Sequence, residues 1–164
     1  MTMRKRIDKI HGFYIEDLSV GMTDIYRKIV RNKDVTLFAD ISGDTNPLHL
    51  DKNFARSTIF KDKIIHGFLT ASFISATIGT KLPGPGSIYV SQTLKFLAPV
   101  RVGDKPKTQV TVTKINLEKN LVSLKCVCSV GAKEVLTGDA VIWVPSRMGL
   151  SKKQKRKKQN RKKP

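Results

Sequence analysis

Ile64-Ile65-His66-Gly67-Phe68-Leu69-Thr70-Ala71-Ser72-Phe73-Ile74-Ser75-Ala76-Thr77-Ile78 is apolar on every side when wound as a helix. A helix apolar all round belongs inside a protein, not on its surface. Its polar members, Thr70, Ser72, Ser75 and Thr77, are short enough to bond back to the helix or to line a pocket. Leu82-Pro83-Gly84-Pro85-Gly86 stops it. The reading is one buried helix within residues 64–82, and such a helix needs something wrapped around it.

The following sequence supplies the wrapping. From residue 87 the period changes to two, with Ile88, Val90, Leu94 and Phe96 on one face. Strands of similar length are predicted over residues 87–97, 107–117, 121–130 and 134–144. Gly103-Asp104, Glu118-Lys119-Asn120 and Gly131-Ala132 separate them. Joints this short predict hairpins, and hence antiparallel neighbours. Upstream, residues 24–30 alternate as a first strand. Asn32 reads as a helix cap, Val35, Phe38 and Ile41 follow at helical spacing, and Gly43 is a stop. A short helix over residues 51–56 with Asp51 as its cap comes next. The class is α+β, one antiparallel sheet curled around one long buried helix.

Between the two helical regions lies Asp44-Thr45-Asn46-Pro47-Leu48-His49, a polar turn with a carboxylate and an imidazole five positions apart. Pro47 fixes its own backbone and pushes Asn46 toward an extended shape. The pair has the makings of an acid–base couple. Taken singly, Asp44 also reads as a turn-closing residue and His49 as a packed or surface imidazole. His66 reads as a hydrogen bond at the helix start, with no chemistry assigned to it.

Composition narrows the function classes. The apolar fraction is 40% over 164 residues, enough for one domain with a proper core. Neither a bilayer-spanning run nor the unbroken apolar core of a secretory signal is visible. Cys126 and Cys128 lie two apart on one predicted strand, where a bond between them would be strained, and no second Cys or His pair completes a zinc site. Reduced core thiols in a cytoplasmic protein is the reading. Half of the net charge of +18 sits in residues 151–164, which carry nine Lys or Arg and no acid. Three regions are therefore expected: a basic arm (1–12), one domain (13–146) and a basic, disordered tail (147–164). Such a tail is most often a solvated extension. It also offers weak, salt-sensitive binding to nucleic acid or another polyanion, without aromatics for reading bases.

The run Ser42-Gly43-Asp44-Thr45-Asn46-Pro47-Leu48-His49 resembles the hydratase-2 motif of MaoC-like (R)-specific enoyl-CoA hydratases. His66-Gly67, Leu82-Pro83-Gly84, Ile88-Tyr89, Phe96-Leu97-Ala98-Pro99-Val100 and Val102-Gly103-Asp104 match that family in the same order, across residues 13–145. The resemblance implies a single hot-dog fold, a homodimer with a joined sheet, an acyl-CoA substrate and a hydro-lyase needing neither metal nor redox cofactor. It implies Asp44 and His49 as the catalytic pair around one water, and the Gly67 N–H as oxyanion donor. Asn46 is implied to hold the loop or the water, and Ser75 to line the acyl pocket. Gly67 reads otherwise as a packing glycine and Ser75 as a serine bonded back to its helix. A carrier-protein-bound or branched thioester is the alternative substrate.

Overall fold

The computed structural model describes residues 11–147. The expectations about the basic tail from Met148 onward, and about the arm up to Ile10, lie outside those residues; Arg147, the first residue of the expected tail, lies within them. A 3-10 turn at Ile15–Asp17 is followed in order by β1 (Thr23–Arg27), α1 (Asn32–Ser42), α2 (Pro47–Leu50) and α3 (Lys52–Ser57). Then come α4 (Gly67–Thr80), β2 (Ile88–Gln92), β3 (Lys95–Phe96), β4 (Lys107–Asn116), β5 (Leu121–Val130) and β6 (Lys133–Trp143).

The strands form one antiparallel sheet in the order β1-β4-β5-β6-β2, with β3 also on β6. Period-two alternation does the work. Val110, Val112, Val122, Leu124, Cys126, Cys128, Leu136, Ala140 and Ile142 are buried on the inner face. Leu69, Phe73, Ile74 and Ile78 of α4 pack against them in one core. Each fully buried side chain of this size contributes on the order of 1.5–3 kcal/mol. The two long hairpins stand where they were expected, turning at Asn120 and Gly131, both with positive φ. Asp51 caps α3 by accepting the Asn53 and Phe54 N–H groups.

Several local readings need correction. The stretch 87–97 is two short strands, and within the first a bulge between Tyr89 and Ser91 inserts one residue and breaks the period-two phase. The split that follows is clamped to β6. Thr93 N–H donates to the Asp139 carbonyl at 2.9 Å, and the Thr93 carbonyl lies 1.8 Å from where a Cβ on Gly138 would stand. The joint at Gly103-Asp104 is not a hairpin: β3 pairs with β6, while β4 pairs with β1 and β5. There the Arg101 N–H donates to the Asp104 carboxylate at 2.8 Å, closing a turn that carries the chain across the sheet. The cap of α1 is one residue earlier than expected; the Asp34 carboxylate accepts the Arg31 N–H at 2.8 Å, and Asn32 is already helical.

The burial of α4 is one-sided in a single chain. Leu69, Thr70, Phe73, Ile74, Thr77 and Ile78 face the sheet, whereas Phe68, Ser72, Ser75 and Gly79 form an outer row left open. Ile41, read as part of the buried face of α1, is also exposed. At the other end of the fold the two ends of the described chain meet. Arg147 binds the Asp17 carboxylate through both guanidinium nitrogens, at 2.7 and 2.8 Å, and lies over the Tyr14 ring. The Gly12 N–H donates to the Pro85 carbonyl at 2.8 Å, so this residue of the expected arm is joined to the turn after α4.

Candidate active site

Gly43 ends α1 in a left-handed conformation, φ 74°, which few other residues adopt without strain. The chain then turns through Asp44. One Asp44 carboxylate oxygen accepts the Asn46 N–H at 3.2 Å, and the Asn46 side-chain oxygen accepts the Leu48 N–H at 3.0 Å. Asn46 is thus the N-cap of α2, and Pro47 occupies the first helical position, where its missing N–H costs nothing. This extra turn of helix was not legible as such in the sequence. It lifts His49 back toward Asp44. The bland reading of Asp44 as a turn residue holds too, alongside its place in the cluster.

His49 Nδ1 lies 2.9 Å from the Ile64 carbonyl. A carbonyl only accepts, so Nδ1 carries the proton and, in the neutral ring, Nε2 bears the lone pair. Asp44, His49 and His66 each present one donor atom, all within 4.8 Å of one another. Asp44 is exposed, His49 half-buried and His66 buried. Among the described residues this is the group with the donor set and spacing to hold a divalent ion. It is equally the arrangement in which a carboxylate and an imidazole share a water.

Gly67 opens α4 directly after His66, so its N–H has no carbonyl one turn earlier within the helix and sits at the positive end of the helix dipole. His49 and Gly67 line one cavity of about 310 Å³, together with Phe60, Thr70, Phe96 and Pro99. The cavity is largely apolar, suited to an acyl chain more than to a sugar or nucleotide. A Cβ on Gly67 would stand 2.8 Å from Phe96 Cε1, so the absent side chain is what lets Phe96 close over the helix start. Arg101 donates to the Phe60 carbonyl at 2.8 Å and the Lys63 carbonyl at 3.3 Å, bracing the loop that forms the cavity wall. Its guanidinium is thereby engaged with the backbone.

A model of the MaoC-like domain matches residues 19–130. The chain belongs to the MaoC-like domain family. It is 47% identical over 141 residues to a 3-hydroxybutyryl-CoA dehydratase of Methylorubrum extorquens, covering 86% of this chain and 90% of that one. It is 48% identical over 134 residues to an (R)-specific enoyl-CoA hydratase of Rhodospirillum rubrum, covering 82% and 93%. The solved structure of the (R)-hydratase of Aeromonas caviae involved in PHA biosynthesis superposes with a TM-score of 0.77 at 40% identity, covering 79% of this chain and 99% of that one. The hot-dog fold expected from the sequence is the observed one.

Within this MaoC-like domain the five residues singled out from the sequence fall into three groups. Asp44, His49 and Gly67 converge on the helix start. Asn46 lies beside them as the helix cap. Ser75 is exposed on the outer row of α4, in an open groove with Phe68, Tyr89 and Leu94; Phe96 borders both this groove and the cavity. The sequence reading missed Phe60, assigned His66 no chemistry, and left Thr70 open between a bond back to its helix and the pocket wall, where it lies. His66-Gly67 was noted as a pair, but nothing local says where a buried imidazole points. Cys126 and Cys128 are unpaired and buried. Burial pushes both thiols up, Cys126 to about 12 with Cys128 adding to the effect, so neither is a ready nucleophile near neutral pH.

Proposed function

We propose that this chain is an (R)-specific enoyl-CoA hydratase, a hydro-lyase that adds water to trans-2-enoyl-CoA and gives (R)-3-hydroxyacyl-CoA, with dehydration as the reverse. The observation that carries the reading is the approach of Asp44, His49 and His66 within 4.8 Å, with His49 Nε2 free of the Ile64 bond, beside the first N–H groups of α4. The 47–48% identity to relatives bearing such names supports it.

In this reading a water lies between the Asp44 carboxylate and His49 Nε2. One of the two groups takes a water proton as the oxygen attacks the β-carbon. The double-bond electrons move toward the thioester, and its oxygen gains negative charge. The Gly67 N–H and the α4 dipole stabilise that charge. That same group then delivers the proton it took from the water to the α-carbon, while the other holds the water in place, so the Asp44 carboxylate and the His49 Nε2 lone pair are both restored. Because water and both acid–base groups lie on one face, addition is syn. The test is hydration of enoyl-CoAs of graded length with the product configuration determined. Exclusive (R) product supports the reading; an (S) product, or faster turnover of a carrier-protein thioester, redirects it.

A homodimer is part of the proposal. Phe68, Ile88, Tyr89, Val90 and Phe96 are exposed along the outer row of α4 and strands β2 and β3. Strand β2 ends the sheet order, so among the described residues of a single chain one side of its backbone lacks a strand partner. A second copy joined at that edge covers both. Light scattering is expected to give a dimer; a monomer at micromolar concentration contradicts it. The buried, unpaired thiols support a reducing compartment, the cytoplasm, and no helix among the described residues is long and apolar enough to cross a membrane.

For the tail we assign weak polyanion binding. Deleting residues 151–164 is expected to leave kcat on short enoyl-CoAs nearly unchanged and to abolish salt-sensitive retention on a polyanion. Loss of kcat at low and high salt alike would mean that the tail belongs to the folded unit. Retention unchanged by the deletion would dispose of the binding role.

A further inference from the structure

We infer that His66 is the positioning residue of the site, fixing the Asp44–His49 pair against the start of α4. The inference rests on the reading of that pair as the acid–base couple.

A histidine at the first turn of a helix is expected to hydrogen-bond to that helix. His66 does not: it is the N-cap residue by backbone position, but its side chain makes no cap bond. Its ring turns instead toward the loop, where Nε2 donates to the Asp44 carbonyl at 2.9 Å, across 22 positions of chain. The ring centroid is 4.0 Å from that of His49 and 5.0 Å from that of Phe38. One side chain thus touches both members of the pair, and its backbone continues directly into Gly67. The carboxylate, the imidazole and the oxyanion donor share a single mount.

The energetics argue against His66 as core filling. It is 1% exposed, and its Nδ1 is buried without a hydrogen-bond partner among the described residues. Leaving a buried polar atom unsatisfied carries a desolvation cost that an aromatic hydrocarbon of similar shape would avoid. What histidine adds over phenylalanine at this point is one donor, and that donor holds Asp44. The Asp44 carboxylate is already tied to the Asn46 N–H by the turn. With the carbonyl fixed as well, the remaining carboxylate oxygen has little freedom to wander from His49. Acid–base catalysis is sensitive to such freedom, since a misplacement of about 1 Å can cost 10²-fold.

His66→Phe keeps the ring and its stacking and removes the donor. His66→Gln keeps an N–H near the reach of Nε2, and His66→Asn keeps one near the reach of Nδ1. Crotonyl-CoA hydration is measured for each with melting temperature alongside. The expected result is a fall in kcat of roughly 10²-fold for His66→Phe with KM changed by less than about threefold, and recovery of at least about tenfold over that level in His66→Gln. His66→Phe with wild-type kcat overturns the inference. So does a folded His66→Gln as impaired as His66→Phe. If His66→Phe does not fold, Gln and Asn decide: Gln is expected to be the more active, and equal activity overturns the inference. Asp44→Asn is run as the control. If it is inactive while His66→Phe is unaffected, the positioning role alone falls; if it is fully active, the acid–base reading falls.

Discussion

Asp44→Asn and His49→Gln are each expected to lower the turnover of crotonyl-CoA hydration by roughly 10²–10⁴-fold, the usual contribution of a positioned acid or base. The fold is expected to survive both changes, for reasons specific to the loop. Asparagine keeps the side-chain oxygen that accepts the Asn46 N–H, so the turn closes as before and only the charge and basicity are lost. Glutamine at position 49 keeps an amide near the reach of Nε2 but offers no imidazole lone pair toward Asp44; the structural cost is the one Nδ1 bond to the Ile64 carbonyl. Asp44 is exposed and His49 half-buried, which limits the stability cost. The measurement is kcat with circular dichroism and melting temperature as controls. A correctly folded Asp44→Asn enzyme with near-normal turnover would sink the mechanism.

Gly67→Ala is expected to reduce kcat/KM by about 10²-fold or more, in the range seen when one oxyanion donor is lost. Stability should move the other way or hardly at all, because alanine is the better helix former by up to about 1 kcal/mol and Gly67 has no left-handed backbone to protect. The loss comes from space. The new methyl would stand 2.8, 3.1 and 3.3 Å from Phe96 Cε1, Cδ1 and Cζ, so the ring must shift and reshape the cavity wall it forms. The methyl also crowds the N–H proposed to meet the thioester oxygen. Adding Phe96→Ala separates the two causes: recovery assigns the loss to the ring, no recovery assigns it to the donor. A stable Gly67→Ala enzyme with unchanged kcat/KM would remove Gly67 from the site.

The sequence by itself determined what depends on near neighbours. The all-round apolar run fixed α4 to within a few residues, because no solvent-facing helix can be apolar on every side. The period of two fixed β4, β5 and β6, and the short polar joints fixed their hairpins. Gly43 and Asp51 marked helix boundaries through left-handed backbone and side-chain capping, which are properties of a few consecutive residues. The Asp44-to-His49 run was legible as chemistry because carboxylate, proline and imidazole fall within one turn.

Tertiary structure alone decided the rest. Strand β3 prefers β6 over β4, since the chain crosses the sheet at the Arg101–Asp104 turn, and no local signal distinguishes that turn from a hairpin. The Tyr89–Ser91 bulge answers to β6, fifty residues onward. His49 is oriented by the Ile64 carbonyl and His66 by that of Asp44, partners 15 and 22 positions away. Ser75, chosen as a pocket residue, lies on the outer row of α4 because the helix is rotated to give the sheet its larger side chains. Which way a buried ring points, and which face of an all-apolar helix stays open, are set by partners that the curled sheet brings together from distant parts of the chain.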